Sequence, residues 1–208
     1  MAFEIWLAFT AASLALLLIP GPTVLLVLSY ALSQGRSVAM ATVAGVALGD
    51  LIAMTASLLG LGAIVATSAT AFMILKWVGA AYLLYLGIKL FLSAKDAESS
   101  ELIRPHTQSA RAVFWHATTV TALNPKSIGF FIAFVPQFID PARALAPQFS
   151  IMIATFVGFA ALNAFLFAIA ADRLRSVISR PSVIAWLTRA GGLTLIAMAA
   201  LTATLRRA

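Results

Sequence analysis

Long apolar segments, separated by short polar ones, follow one another along the whole chain. Six of them approach or exceed the roughly 20 residues that a helix needs to cross about 30 Å of hydrocarbon. They cover residues 5–28, 38–61, 72–92, 113–138, 149–171 and 190–205. The alternation of apolar and polar residues that is typical of membrane β-strands is absent, so each span should be a helix that satisfies its own backbone groups. The pattern predicts an all-α integral membrane protein with six transmembrane helices.

The composition agrees with this prediction, because only 10% of the 208 residues are charged and 62% are hydrophobic. A soluble domain of this length needs far more charge on its surface. The first Lys or Arg of the chain is Arg36, so no basic residue precedes the first segment. That segment is therefore interpreted as a retained span rather than a secretory signal.

The distribution of basic residues predicts how the chain is oriented in the membrane. If both termini lie outside, nine basic residues fall inside and four outside, as the positive-inside rule favours. The inner set is Arg36, Lys89, Lys95, Arg104, Arg111, Arg173, Arg175, Arg180 and Arg189, and the outer set is Lys76, Arg143, Arg206 and Arg207. The net charge of +7 is thus mostly an orientation signal.

The longest polar segment, 93–112, contains "SAKDAESSELIRPHTQSAR". It mixes both signs of charge and has no aromatic residue that could stack on a base, so a nucleic-acid partner is not predicted. We interpret it as a cytoplasmic linker between a first three-span repeat, 1–92, and a second, 113–208.

Similar residues recur at matching positions in these two halves. The matched pairs are Pro22 with Pro125, Gly45 with Gly158, Asp50 with Asn163, and Gly79 with Gly192. Because each half has three spans, the second copy must be inverted relative to the first. Inverted repeats with Gly/Pro-interrupted spans are typical of secondary transporters, whose substrate site lies near the bilayer midplane. The identities are few, and chance is the alternative.

Proline motifs interrupt the first and fourth spans. Pro20 and Pro22 flank Gly21, and Pro125 follows Asn124 in "LNPK". Each proline removes a backbone donor and fixes φ, so a continuous helix through either motif is not expected. We predict a broken helix at both motifs, with an ordinary kink as the alternative.

Two charged residues, Asp50 and Lys126, lie near the middle of predicted spans. A charge at the bilayer centre costs about 2.5–3.5 kcal/mol even on the lenient insertion scale, so both should face the protein interior. The alternatives are a structural ion pair and, for Lys126, a side chain that snorkels to the interface. Asn124 and Asn163 add amides to the same region, although Asn163 could equally make a simple interhelical hydrogen bond.

Small residues predict where helices pack closely. Gly45 and Gly49 have the spacing of a close helix crossing, and Gly79 is a further packing candidate. The two histidines have no ligand spacing and the chain has no cysteine, so neither a metal nor another cofactor is predicted. Motifs such as HExxH and GxSxG are absent too, and an enzyme is not expected.

The chain resembles the lysine and homoserine/threonine exporter family of bacterial inner membranes (LysE type). The resemblance rests on "PGP", "QGR", "GVALGD", "GAAYLLYLGIK", "LNPK" with "PQF", and "AGGL", which follow one another in this order. It implies a six-span homodimeric exporter of amino acids or related small molecules, driven by the proton motive force.

A hypothesis about the site joins the resemblance to the residues. A zwitterionic substrate needs a cation or a helix N-terminus for its carboxylate and an anion for its ammonium. Lys126 and the helix breaks can supply the first, and Asp50 the second. Asp50 could equally carry the coupling proton. A passive channel, or an exporter of another small metabolite, is the alternative function.

Overall fold

Eight α-helices and one short 3₁₀ helix make up the described part of the chain. The computed structural model describes residues 1–208 except 20, 35, 68, 94–107, 179–180 and 205–208. The helices are α1 (Phe3–Leu18), α2 (Pro22–Gln34), α3 (Arg36–Thr67), α4 (Ala69–Ser93), α5 (Ala110–Ala122), α6 (Pro125–Ala133), α7 (Leu145–Ile178) and α8 (Pro181–Thr204), with the 3₁₀ helix at Val135–Phe138. The described residues contain no strand, which confirms the all-α prediction for them.

The helix breaks occur where the prolines predict them. α1 ends at Leu18, α2 begins at Pro22, and the two helices are bent by 53°. α5 ends at Ala122, and α6 begins at Pro125. Proline is well suited to the first turn, where its missing N–H would have no helical partner. Pro20, the other predicted member of the first motif, lies outside the described residues.

By length and composition, the structure supports four of the six predicted spans, or five if the bent α1–α2 pair is one span. The four helices that qualify alone cover Val38–Ile64, Met73–Ser93, Leu145–Ala171 and Ala185–Thr204. The chain is thus a multi-pass membrane protein. The predicted fourth span, 113–138, is divided between α5, α6 and the 3₁₀ helix, each shorter than a span. A sixth crossing there stays a prediction.

The start of the last span differs from the prediction. The apolar pattern placed it at residue 190, but α8 begins at Pro181 and its apolar part at Ala185. Arg189, with Gly191 and Gly192, interrupts the apolar pattern without interrupting the helix. The two glycines allow close packing, since a Cβ on Gly192 would lie 2.6 Å from the carbonyl oxygen of Gly87 in α4.

The two halves of the chain share an order of elements. Each has a broken helix pair, then a helix of more than 30 residues, then a helix of about 25: α1–α2, α3 and α4, followed by α5–α6, α7 and α8. α4 packs against α8, and α3 against α7. This order agrees with a repeat, while the inversion of one half relative to the other stays a prediction.

The hydrophobic interior is divided into a large core and two small cores. The large core contains Phe9, Leu16, Ala53, Met54, Leu58, Leu61, Phe156 and Ala160 among its buried residues. The small cores contain Val24, Val27, Leu28, Ala39, Val43, Val46, Ala164, Ala168 and Ala171. α1 therefore packs in the large core and α2 in the small ones, whereas α3 and α7 contribute to both.

The loop 139–144 before α7 provides a test of orientation. Its Arg143 side chain is 68% exposed and forms an ion pair with Asp140. The chain has no cysteine, so single cysteines can be introduced without background. We predict that an impermeant thiol reagent labels Arg143→Cys but not Arg104→Cys in intact cells; Arg104 lies outside the described residues. The opposite labelling pattern would place the termini inside.

Two glycines allow α3 to contact α5 at backbone distance. A Cβ on Gly45 would overlap the carbonyl oxygen of Phe114, and one on Gly49 would lie 2.7 Å from the carbonyl oxygen of Thr118. Gly79 of α4 is equally close to α6, because a Cβ there would lie 2.5 Å from Cβ of Ala133. All three are thus at close helix crossings.

We expect Gly45→Ala to lower the free energy of unfolding by about 1–3 kcal/mol, the usual effect of overpacking against backbone that cannot yield. Gly158, its matched residue in the second half, is the control, since a Cβ there would meet no atom within 4 Å. Gly158→Ala should be neutral or slightly stabilising, because alanine favours the helix. Thermal unfolding in detergent measures both variants, and equal effects would contradict the close crossing.

Candidate functional site

A small cavity lies where the α1–α2 break meets α3, α6 and α7. Its lining combines six polar or charged positions with apolar residues: Leu16, Leu17, Gly21, Thr23, Val24, Val27, Val46, Asp50, Asn124, Lys126, Ser127, Ala160, Asn163 and Ala164. The volume is about 30 Å³, which holds about two water molecules. The structure thus brings together Asp50, Lys126, Asn124 and Asn163, the four polar residues singled out in the sequence.

Asp50 is the acidic group of the cavity. Its residue is 3% exposed, and the Oδ1 atom is buried without a hydrogen-bond partner among the described residues. It lies on α3 where the small cores end and the large core begins, between Val46 and Ala53. A buried carboxylate oxygen that accepts no hydrogen bond is costly, and a bound cation or proton would remove that cost.

Lys126 is the basic group of the cavity, and it contacts backbone rather than a carboxylate. Its Nζ donates to the carbonyl oxygens of Leu16 at 3.1 Å and Ile19 at 3.0 Å. These carbonyls lie at the C-terminal end of α1, where helical partners are missing and the helix dipole favours a cation. No ion pair joins Lys126 to Asp50 within 4.0 Å in the described structure, so the alternative of a structural ion pair between them is not found there.

Asn163 contacts the same end of α1. Its Nδ2 donates to the carbonyl oxygen of Leu17 at 3.1 Å. The break in the first span leaves the carbonyls of Leu16, Leu17 and Ile19 without helical partners. Side chains from α6 and α7 donate hydrogen bonds to all three. In this arrangement Lys126 and Asn163 hold the broken helix end in place.

Asn124 connects the two helix breaks. Its Oδ1 accepts from the backbone N of Lys126 at 3.0 Å and so caps α6, while its Nδ2 donates to Oγ1 of Thr23 at 3.2 Å. Thr23 Oγ1 lies 3.5 Å from Oγ1 of Thr121 in α5. Both polar atoms of Asn124 are thus used within the protein, which makes it a positioning residue in this arrangement.

The first turn of α2 supplies backbone donors to the cavity. The first intrahelical bond runs from the N of Leu25 to the carbonyl oxygen of Gly21. The N–H groups of Thr23 and Val24 therefore have no helical acceptor, and both residues line the cavity. Donors at a helix N-terminus favour an anion.

Sequence reasoning missed Thr23, Thr121 and Ser127. Thr23 directly follows Pro22, and Ser127 follows Pro125 by two residues. The sequence feature that could have identified Thr23 and Ser127 is a polar residue in the first helical turn after each proline. Residues in that turn lie next to the helix break, where the cavity is found. Of the predicted helix-break residues, Gly21 lines the cavity. Pro22 and Pro125 are exposed and do not line it.

Further polar contacts join α2 to α5 beyond the cavity. The hydroxyl of the buried Tyr30 donates to Oε1 of Gln108 at 3.1 Å and lies 2.8 Å from Nδ1 of His116. The backbone N of Gln108 donates to Oε1 of Gln34 at 2.9 Å. With the Thr23–Thr121 contact, these bonds form a polar seam along the antiparallel α2 and α5.

One family model and several bacterial proteins are similar to the chain. The family model described as LysE type translocator matches residues 14–205. The chain is 34% identical to a homoserine/homoserine lactone efflux protein of Salmonella typhimurium over the full length of both. It is 34% identical to an uncharacterized membrane protein of Vibrio cholerae over 88% of each chain. It is also 30% identical to a leucine efflux protein of Klebsiella pneumoniae over 65% of this chain and 63% of that one. No solved structure matches the chain.

Proposed function

Since this chain belongs to the LysE type translocator family, we propose that it is a secondary transporter that exports a small amino acid from the cytoplasm in exchange for protons. The site would lie within the bacterial inner membrane, with both termini on the periplasmic side. The homodimer that the sequence resemblance implies belongs to this proposal as well.

The observation that carries the proposal is the unpartnered Asp50 carboxyl oxygen in a cavity that also holds backbone donors and Lys126. The carboxyl can bind a substrate ammonium, and the first turn of α2 can bind a substrate carboxylate. Groups that can bind opposite charges thus line one cavity. An α-amino acid has this complementary arrangement of charges.

Lys126 is the second group we propose for the substrate carboxylate. Two of the three N–H donors of its ammonium bond to the carbonyls of Leu16 and Ile19, so the third is available to a carboxylate. Through Lys126, a bound substrate would be connected to the end of α1. Occupancy of the site could then affect the position of the broken helix, as a carrier requires.

The cavity must also expand to bind a substrate. Its volume of about 30 Å³ holds water but not an amino acid, which has several non-hydrogen atoms each about the size of a water molecule. A site that is too small for the substrate in one conformation is expected of a carrier with alternating access. A permanently open channel would instead need a continuous passage through this region.

The names of the relatives indicate the chemical class to test. Homoserine and leucine are neutral amino acids, and homoserine lactone keeps the amino group but has no free carboxylate. The group common to all three compounds is the α-amino group. We therefore propose that recognition of the ammonium by Asp50 is the shared element, and that recognition of the carboxylate adds to it.

Counterflow in proteoliposomes tests the proposed function. The purified protein is reconstituted into vesicles loaded with unlabelled homoserine, leucine or homoserine lactone, and uptake of the labelled compound is followed. A carrier transiently concentrates the label, whereas a channel only equilibrates it. A thermal-shift screen of the same compounds identifies the ligand independently, because a bound ligand stabilises the folded state. Equilibration without accumulation for a compound that does bind would favour the channel.

A further inference from the structure

Two buried hydroxyls on α1, those of Thr10 and Ser13, do not line the cavity described above. Thr10 is 9% exposed and Ser13 is 0% exposed, and neither hydroxyl oxygen has a hydrogen-bond partner among the described residues. A buried hydroxyl without a partner is costly, more so within a membrane. These two groups therefore need an explanation.

Other hydroxyls in the described helices bond to their own backbone. Each of the following donates to the carbonyl four residues earlier: Ser33, Thr42, Thr118, Thr119, Ser150, Thr194, Thr202 and Thr204. This is the usual way in which serine and threonine are accommodated in membrane helices. Thr10 and Ser13 do not use it, so their hydroxyls remain available to another partner.

Both residues lie on the face of α1 that meets α7. Trp6, Thr10, Ser13 and Leu17 have the spacing i, i+4, i+7 and i+11 of one helix face. At one end of this face the Nε1 of Trp6 donates to Oγ1 of Thr155 at 3.0 Å. At the other end Nδ2 of Asn163 donates to the carbonyl of Leu17. Thr10 and Ser13 lie between these two contacts with α7.

The face leads directly into the cavity. Leu16 and Leu17 line the cavity, and Ser13 lies one turn before them toward the start of α1. The charged side chains that line the cavity are Asp50 from α3 and Lys126 from α6. A polar route along this face would therefore connect the membrane surface at which α1 begins with Asp50.

We propose that Thr10 and Ser13 form a hydrated route that carries the coupling proton between Asp50 and the membrane face at which α1 begins. Water bridging the two hydroxyls would give each the partner that the protein does not supply. The hydrogen bonds at both ends of the face keep α1 and α7 in contact, so the route admits water but not an amino acid. The proton role rests on the proposed function, whereas the hydration does not.

Cysteine accessibility tests the hydration without any substrate. A small cationic thiosulfonate reacts with the thiolate, which forms where water reaches the sulfur and is disfavoured in apolar surroundings. We expect Thr10→Cys and Ser13→Cys to react at least about tenfold faster than Ala199→Cys, which lies in the large core at 5% exposure. Rates no higher than that of Ala199→Cys, in variants that remain folded, would overturn the route.

Transport measurements then test the proton role. In the Thr10→Val, Ser13→Ala double variant, export driven by an imposed pH gradient should slow by about three- to tenfold, the factor of roughly one hydrogen bond. Counterflow of labelled homoserine or leucine at equal pH should remain unchanged. Thr42→Val is the matched control, because Thr42 is equally buried but bonds to the carbonyl of Val38.

The outcomes separate the two proposals. Equal loss of driven export and counterflow, or no loss of either, would overturn the proton route while leaving the substrate site intact. Absence of counterflow in the unaltered protein would contradict the proposed function, and the accessibility result would still decide whether the face is hydrated.

Discussion

Asp50→Asn is expected to reduce export by about a hundredfold, the factor that corresponds to roughly 2.7 kcal/mol, within the range for a hydrogen bond to a charged group. The substitution keeps the shape of the side chain but removes its charge and its ability to exchange a proton. Because Oδ1 accepts no hydrogen bond in the described structure, no internal bond to that atom is lost. The variant should therefore insert and fold like the unaltered protein.

Export driven by an imposed pH gradient in vesicles and thermal unfolding in detergent together measure this prediction. Asp140→Asn is the matched control, because Asp140 lies in the loop before α7, where its carboxylate pairs with the exposed Arg143 and accepts from the backbone N of Ala142. Its effect on transport should be negligible, as surface ion pairs contribute little. Normal export by a well-expressed Asp50→Asn protein would reduce Asp50 to a packing residue and remove the central support for the site.

Lys126→Met is expected to impair export of homoserine or leucine by about tenfold or more, since one charge-assisted hydrogen bond to the carboxylate is lost. The effect on homoserine lactone should be smaller, because the lactone has no carboxylate for the ammonium to bind. The variant should also be less stable, because the carbonyls of Leu16 and Ile19 lose their donor. Comparing the three compounds in one vesicle preparation measures the difference.

The double variant of Asp50 and Lys126 tests whether the two charges share one site. If they do, the combined defect should be smaller than the product of the single defects, because a substrate that has lost its contact with one charge is held less well against the other. Lys89→Met is the control, since Lys89 lies over the ring of Tyr85 on the exposed side of α4. Multiplicative defects, with equal losses for amino acid and lactone, would exclude a shared site.

The positions of the helix breaks, and the placement of Asp50 and Lys126 in one cavity, followed from the sequence for simple physical reasons. Proline cannot continue a helix, and this constraint is local, so α2 and α6 begin at Pro22 and Pro125 as predicted. A charged side chain within the hydrocarbon must face the protein interior rather than lipid, so two such charges at a similar depth are expected to lie near each other. Asp50 and Lys126 therefore line the same cavity.

The partners of the site residues could not be predicted in the same way. Lys126 and Asn163 bond to backbone carbonyls of α1, and every residue type has a carbonyl, so no sequence pattern marks these acceptors. The unpartnered state of Ser13 depends on its side-chain conformation, which the residue type leaves open. The matched glycines Gly45 and Gly158 also could not be distinguished from the sequence. A Cβ on Gly45 would overlap α5, whereas a Cβ on Gly158 would meet no atom within 4 Å.

The division of the interior into cores has a mechanical consequence. Asp50 and Asn163 lie where α3 and α7 pass from one core to another, so a polar layer separates two apolar blocks. Tightly packed apolar side chains resist sliding, whereas hydrogen bonds and small water-sized gaps can be rearranged. α1 and α2 each belong to one block and are separate helices, so a tilt of one block against the other would bend neither of them. α3 and α7 run through both blocks unbroken, so the same tilt would have to bend these two helices.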